Sequence, residues 1–423
     1  MAAASIRVKA KTAEINTSIE SGFSGIRTAK AFAMEQEEIR KFDHANAEFV
    51  ESKRGYYKAM AVFHGGMEFV LSIMSVLVIM AGGIGSRFWP MSTPEYPKQF
   101  VDVLGCGRTL LQLTTDRFKG IVPAENVWIV TSAAYAQIVH EQLPEVPEGN
   151  ILKEPCRRNT APCIAYVSWR IKAENPRANI VVSPSDHIVA DVKEFQRVIL
   201  SSLKFAGESD AIVTLGMKPT RPETGYGYIQ ADLSTASARN REIYRVDQFR
   251  EKPDLATAKE YIAQNNYFWN AGIFVWNVNT IVNAFRIYAP SISEIFEKLL
   301  PFYGTEREQA LVDERFPLCE NISVDYAIME RAEEIFCFPA SFGWSDLGTW
   351  GSLRENTAHD ASGNSLIGNH ITVHNTRNCI IHTTEERRVV VEGLDGFIVA
   401  EKDGVLLICR LDEEQNIKQY SMN

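Results

Sequence analysis

Apolar residues in the first part of the chain recur at helical spacing. Ile15, Ile19, Phe23 and Ile26, then Ile39 and Phe42, stand among many charges, and no proline interrupts them. The spacing predicts long amphipathic helix. Its apolar stripe, with Phe23, Phe32, Phe42, Phe63 and Phe69, must pack on the rest of the protein, self-associate or lie on a membrane surface. From Ala59 to Ala81 the text AMAVFHGGMEFVLSIMSVLVIMA turns apolar, which raises the question of a membrane span. His64, Gly65, Gly66 and Glu68 interrupt it, and the clean remainder, Phe69 to Ala81, is thirteen residues long. A helix crossing a bilayer needs roughly 20. The end of the run also reads as another element. SVLVIMAGG is a short β-branched run closed by glycines, which predicts a buried parallel strand over Val76–Ala81 leading into a loop.

Beyond that strand the pattern alternates. The strand-like runs NVWIVTS (126–132), NIVVSPSDH (179–187) and AIVTLGM (211–217) are separated by the helical stretches AAYAQIVHEQL and APCIAYVSWRIKAEN. Strand, helix, strand in this rhythm predicts an α/β domain with a mostly parallel sheet covered by helices on both faces. Ligands of such sheets bind beyond the carboxyl ends of the strands. The glycines after Ala81 and the Ser185-Asp186-His187 turn both sit at such ends, so two distant stretches point at one crevice. From about residue 364 the text changes to short strands punctuated by Asn, Asp-Gly and Gly turns, with no helix-length spacers. This predicts a small β domain, a short β-helix or roll. The chain thus divides into a helical segment (1–75), an α/β domain (76–355) and a C-terminal β domain (356–423).

Composition adds exclusions. A chain of 423 residues, 45% hydrophobic and 23% charged, is ordinary globular protein with length for two or three domains. A net charge of -9 argues against a general nucleic-acid binder, although a small phosphate ligand needs only a few well-placed cations. The seven cysteines are scattered, odd in number and without a CxxC pair, which points to reduced thiols in a cytoplasmic protein. The first residues lack the apolar core of a signal peptide.

The candidate chemistry begins at GGIGSRFWPMSTPEYPKQF. No GxxxxGK[ST] occurs there, and the last glycine of a GxGxxG fingerprint is missing. What remains is bare backbone at Gly82, Gly83 and Gly85, able to approach a polyphosphate, with Arg87 and Lys98 to neutralise it. On the glycines alone, a tight turn carrying two solvated cations is the simpler reading.

The stretch resembles the signature of the sugar-nucleotide pyrophosphorylases, and most closely that of mannose-1-phosphate guanylyltransferases. The likeness continues in order through EPCRRNTAPCIA (154–165), SPSDH (183–187), ETGYGYI (223–229), FREKPD (249–254), WNAGIF (269–274), SVDYAIME (323–330) and FGWSDLGTW (342–350). It runs from about Val78 to the C-terminus, where EEQNIKQY also fits. Ser86, Phe88 and Thr93 depart from the family's usual Thr, Leu and Arg, which bears on fine substrate preference. The resemblance implies a Rossmann-like nucleotidyltransferase domain that joins GTP and mannose 1-phosphate with the help of Mg²⁺. It also implies roles. Asp186 and Asp346 would bind the metal, and Arg87 and Lys98 would clamp the triphosphate and the leaving group. Lys252 would hold the sugar phosphate and Glu251 the sugar hydroxyls, with Asn270 and Gly225 against the sugar or ribose. Glu154, Arg158, Asn159 and Thr160 would line the base pocket, although Asp186 and Asp346 as helix caps and Arg158 as a salt bridge are open alternatives. His187 reads as a structural ring behind Asp186, and Cys156 and Cys163 as ordinary buried thiols.

Residues 16–74 resemble something else, the cytoplasmic part of an ABC-exporter membrane domain, carried by GIRTAKAFA and the E…F…N text after it. No Walker A motif follows. A fusion or gene-model junction explains such a chain more simply than membrane tethering, because one truncated helix cannot build a transporter. The expected partners are therefore GTP and mannose 1-phosphate, without nucleic acid or membrane, and with a homodimer through the C-terminal β domain as an option. The alternatives are a nucleotidyltransferase for glucose or fucose 1-phosphate, or an inactive membrane-associated transporter fragment.

Overall fold

The computed structural model describes residues 2–31, 33–83, 85–383 and 387–421. It divides into two units, Met1–Ile73 and Met74–Asn423. The first unit is built from two helices, Ala2–Ala31 and Glu35–Met74. Glu35, Glu37 and Glu38 open the second helix, where negative charge favours the helix dipole. Lys11 of the first helix reaches Glu48 of the second at 2.8 Å. Ile19, Phe23, Ile39 and Phe42 of the apolar stripe are exposed. Phe32 and the side chains of Phe63 and Phe69 lie outside the described residues. Among the described residues, no helix is long and apolar enough to cross a membrane.

The second unit is organised by a nine-stranded sheet. Its strands are β1 (Ser75–Met80), β2 (Val127–Ser132), β3 (Ile151–Glu154), β4 (Asn179–Pro184), β6 (Ile212–Met217), β7 (Tyr228–Ala236), β8 (Tyr244–Arg250), β9 (Tyr267–Asn277) and β10 (Ile335–Ala340). A two-residue pair outside the sheet, β5 (Ile188–Val189) and β11 (Trp344–Ser345), runs antiparallel. The sheet order is β3-β2-β1-β4-β9-β6-β10-β8-β7. The half β3-β2-β1-β4 is parallel, as the alternation predicts. The other half is mixed, because β9 enters antiparallel between β4 and β6. A strand buried on both faces has the same apolar text in either direction, so β9 looks no different in sequence from a parallel strand.

Burial on both faces explains the unbroken apolar run at β1. Val76 and Val78 point into one apolar core with Trp169, Ile180 and Trp276, whereas Leu77 and Ile79 point into the other with Phe118, Ile129 and Phe195. Each such side chain contributes roughly 1.5–3 kcal/mol by leaving water.

The C-terminal strands coil. Here β12 (Ser365–Ile367), β14 (Ile380–His382) and β16 (Phe397–Lys402) stack in parallel, and so do β13 (Ile371–His374) and β15 (Val389–Glu392). The last strand, β17 (Val405–Arg410), folds back antiparallel on β16. This β-helix shares a third apolar core with the α/β domain, in which Ile367, Ile380, Ile398 and Ile417 meet Phe88, Met91, Leu347 and Trp350.

Deleting residues 1–74 while keeping β1 should leave a folded protein, because β1 draws its hydrogen-bond partners from β2 and β4. Deleting through Met80 should abolish folding. Circular dichroism and thermal melting of the two truncations check this, and an unfolded first truncation would show that the helices have become part of the second unit.

Candidate active site

Two cavities open beyond the carboxyl ends of β1 and β4. One, of about 350 Å³, is lined by Gly82, Gly83, Glu154, Arg158, Thr160 and Asp186, among others. The other, of about 210 Å³, is lined by His187, Gly225, Tyr226, Glu251, Asn270 and Asp346, among others. Apart from Gly85, Arg87, Lys98 and Lys252, every residue implied as a site residue lines one of the two.

The glycine loop is tied down from within. Gln99 donates from Nε2 to the carbonyls of Ala81 and Gly83, at 3.2 and 2.8 Å. Gly85 sits at φ 57°, and the Lys98 stem occupies the space that a Cβ there would need. Arg87 lies exposed on the 3₁₀ turn Ser86–Phe88, while its neighbour Phe88 is buried against Trp350. Lys98 is placed differently from a free phosphate clamp. Its buried ammonium donates to the carbonyls of Asp346 and Leu347, at 2.8 and 3.0 Å, and pairs with Asp186 Oδ2 at 3.0 Å. All three of its N–H groups therefore have protein acceptors, and a phosphate reaching it must displace one of them.

In the larger cavity Asn159, at φ 65°, caps the helix Thr160–Glu174 by accepting from the Thr160 amide. The start of a helix is a favourable place for anionic oxygens. Thr160 Oγ1 accepts from the Val324 amide, and Arg158 donates to the carbonyl of Pro317 at 2.6 Å. Glu154 is buried, and its Oε1 accepts from the Cys163 thiol. Burial pushes this carboxyl up to about 7, against the smaller opposing pulls of Cys163 and Arg157.

In the smaller cavity Asn270 is fixed by donating to Asp325 at 3.1 Å and by accepting from the Thr214 hydroxyl and the Gly272 amide. Glu251 fills the space that a side chain at Gly227 would take, and it pairs with the Lys252 ammonium. Lys252 stands at φ 48° and donates its amide to the Tyr226 carbonyl at 3.2 Å. The Gly225 amide donates to Glu223 at 3.1 Å. Asp325 lies in the π-helical turn Asp325–Met329, where burial, aided by the charge of Glu251, lifts its carboxyl to about 6.

Asp186 lines the larger cavity, and His187 and Asp346 line the smaller. Burial works against the charge of Asp186, but the Lys98 ammonium, by charge and hydrogen bond, is the main force that outweighs it and holds the carboxyl below the usual range. Its Oδ1 faces His187 Nε2 at 3.6 Å, longer than a hydrogen bond. Trp344 donates its indole N–H to His187 Nδ1 at 3.2 Å, so Nε2 carries the ring proton. Burial keeps this ring neutral by lowering its pKa. Asp346 Oδ1 accepts from the Tyr226 hydroxyl at 2.6 Å and from the Gly348 amide at 3.0 Å. Asp346 Oδ2 accepts from no donor among the described residues. Hard carboxylate oxygens of this kind suit Mg²⁺. No group of three or more His, Cys, Asp or Glu side chains gathers for a metal among the described residues, so an ion here would also need oxygens from a substrate.

Tyr226, Asp325 and Gln99 hold the site together, yet none of them stands out in the sequence as a candidate. Tyr226 and Asp325 lie inside the quoted motifs, and nothing local marks them out from their neighbours.

A family model described as nucleotidyl transferase matches residues 76–363. A MannoseP isomerase/GMP-like beta-helix domain matches 368–420, and an ABC transporter transmembrane region matches 1–88. The mannose-1-phosphate guanylyltransferase of Escherichia coli (strain K12) is 36% identical over 347 residues, 81% of this chain and 72% of that protein. The alginate biosynthesis protein AlgA of Pseudomonas syringae pv. tomato is 36% identical over 348 residues, covering 81% and 70%. Among solved structures, one described as a mannose-1-phosphate geranyltransferase from Thermus thermophilus superposes with a TM-score of 0.73. It is 30% identical and covers 82% of this chain and 98% of its own.

The raised carboxyl of Asp325 has a consequence for stability. The folded chain holds this proton more tightly than the unfolded chain, so stability falls as pH rises from the ordinary value of 3.8 to about 6. Asp325→Asn should remove that component, leaving a melting temperature that declines less than wild type between about pH 4 and 6. Parallel pH slopes for the two proteins would show that Asp325 ionises normally.

Proposed function

The chain belongs to the nucleotidyl transferase family, and on that premise we propose that it transfers GMP from GTP to mannose 1-phosphate. A phosphate oxygen of mannose 1-phosphate forms a bond to the α-phosphorus of GTP. The bond from that phosphorus to the oxygen bridging to the β-phosphate breaks, and pyrophosphate leaves with the electron pair. No covalent enzyme intermediate is needed. Both reactants are anions, so the protein's tasks are alignment and charge neutralisation.

The observation that carries this reading is that Asp186 lines one cavity and Asp346 the other, the two cavities sharing Met80, Thr160 and Pro184, while the one ammonium of Lys98 bridges the two aspartates' turns. In this reading the triphosphate lies along the glycine loop, with Arg87 at its exposed edge. The sugar phosphate lies by Lys252, and the hexose hydroxyls meet Glu251, Asn270 and Asp325. When bound, Mg²⁺ would supply neutralising charge at the transferring phosphate. The two aspartates are the residues that would hold it. Guanine fits the base pocket through Glu154, because its N1–H and 2-amino group offer two adjacent donors to a carboxylate. Binding of those donors would also favour the ionised form of Glu154, which burial disfavours in the free protein.

Seven free cysteines support a cytoplasmic setting. Exposed Leu406 and Ile408 on β17 support association of two copies through the β-helix. Glucose or fucose 1-phosphate as the sugar substrate is the alternative that the same site geometry admits.

Release of pyrophosphate from a panel of nucleoside triphosphates crossed with sugar 1-phosphates tests the assignment. GTP with mannose 1-phosphate should be the best pair, and a preference for UTP or dTTP with glucose 1-phosphate would overturn the named substrates. Glu154→Gln should lower kcat/KM for GTP by about tenfold or more and raise that for XTP, since a bidentate base contact is worth about 1–3 kcal/mol. An amide accepts from N1–H and donates to the 2-oxo group of xanthine. Unchanged base preference would remove Glu154 from the base contact. Asp186→Asn and Asp346→Asn should each reduce kcat roughly 100-fold or more, because the charge that organises metal and phosphate is lost. Near-normal rates in both would return them to ordinary turn residues.

A further inference from the structure

We propose that Tyr226 is a positioning residue that fixes the metal-facing carboxylate of Asp346 and links it to the backbone of Lys252. The proposal rests on the reading of Asp346 as a metal ligand.

Three observations converge on this tyrosine. Its hydroxyl has one proton to donate, and Asp346 Oδ1 receives it at 2.6 Å across 120 positions of sequence. The Gly348 amide supplies a second donor to the same oxygen at 3.0 Å, so Oδ1 is engaged and Oδ2 is the oxygen left for a ligand. The terminal torsion of an aspartate is broad and roughly two-fold, so without such donors either oxygen would face the site in a range of orientations. The Tyr226 carbonyl meanwhile accepts the Lys252 amide at 3.2 Å. One residue therefore touches both the carboxylate on the metal side and the chain that carries the sugar-phosphate lysine.

The surroundings of the ring argue against simple core packing. Tyr226 is half-buried, and it lines the 210 Å³ sugar cavity and also a separate cavity of about 510 Å³ near Arg221 and Trp269. Two indoles set the ring between these spaces, Trp269 at 5.2 Å and Trp344 at 5.3 Å between centroids, both in edge-to-face geometry. Phenylalanine would fill the partition equally well. Only the aimed hydroxyl requires tyrosine, and its acceptor is Asp346.

Tyr226→Phe removes that hydroxyl and leaves the ring and backbone contacts in place. A hydrogen bond to a charged group stabilises enough that kcat should fall roughly 10- to 100-fold, with KM for GTP within about twofold. The readout independent of turnover is Mn²⁺ binding to the protein with α,β-methylene GTP, followed by the electron paramagnetic resonance of free Mn²⁺. Its affinity should weaken by about tenfold in the variant, with the melting temperature within a few degrees of wild type. Wild-type Mn²⁺ affinity in the variant would overturn the proposal, whatever happens to kcat. If the substrate panel rejects GTP and mannose 1-phosphate, the Mn²⁺ difference measured with the accepted nucleotide's methylene analogue still decides the role of Tyr226. Absence of Mn²⁺ binding by the wild type would overturn the metal reading and this proposal together.

Discussion

Lys98 puts a full positive charge in a buried position and surrounds it with oxygen. An ammonium taken out of water costs several kcal/mol unless its donors are met, and here the carboxylate of Asp186 and the carbonyls of Asp346 and Leu347 meet them. The contact joins the end of the glycine loop, the turn after β4 and the turn after β11, which lie far apart in sequence. The stem of the same lysine occupies the space beside Gly85, so that residue can carry no side chain, and its left-handed backbone at φ 57° favours glycine as well. Removing the ammonium would leave Asp186 without its counter-charge and free the turn that presents Asp346. One cation thus ties the Asp186 carboxylate to the backbone of the turn that carries Asp346.

The β-helix extends this arrangement from behind. Phe88 and Met91, on either side of the Trp89–Pro90 step of the loop, are buried with Ile367, Ile398 and Ile417. Lys402 of β16 donates to the Met91 carbonyl at 2.8 Å, and Glu414 accepts from the Gly351 amide at 2.7 Å. The loop that carries Arg87 is thus packed on the C-terminal domain on one side and tied by Gln99 to its own strand on the other. A loop pinned on both sides loses little further entropy when a polyphosphate settles on it.

Much of this is legible in the sequence. The two-faced burial of β1 is written in the unbroken run SVLVIM, and the strand-helix alternation foretells the parallel half of the sheet. Motifs far apart along the chain converge on two neighbouring cavities, several of them from turns at strand ends, whereas Asn270 comes from inside β9 and Asp325 from a π-helical turn. The direction of β9 is not legible, since a strand apolar on both faces has no polarity in its composition. Nor is the pairing of Tyr226 with Asp346, because hydrogen bonds between distant side chains follow from the completed fold and leave no local periodicity. Lys98 shows the limit most clearly. Beside a glycine loop a lysine reads as a phosphate clamp, and only the placement of Asp186 turns it inward.

That inward turn also bears on how a protein of net charge -9 receives two anionic substrates. The lysines assigned to phosphate are already paired in the free protein, Lys98 with Asp186 and Lys252 with Glu251. On the proposed reading each phosphate would meet a cation already oriented by a carboxylate, not a mobile one, and at Lys98 it would have to displace a protein acceptor. Binding becomes an exchange of one oxygen acceptor for another, in which the displaced carboxylate must find a cation or a hydroxyl of its own. For Glu251 a sugar hydroxyl can serve. For Asp186 only a cation compensates fully, which is the role that the proposed Mg²⁺ would fill. The geometry of the free site is in this sense already that of a pair of anions waiting to be replaced by, or shared with, a third.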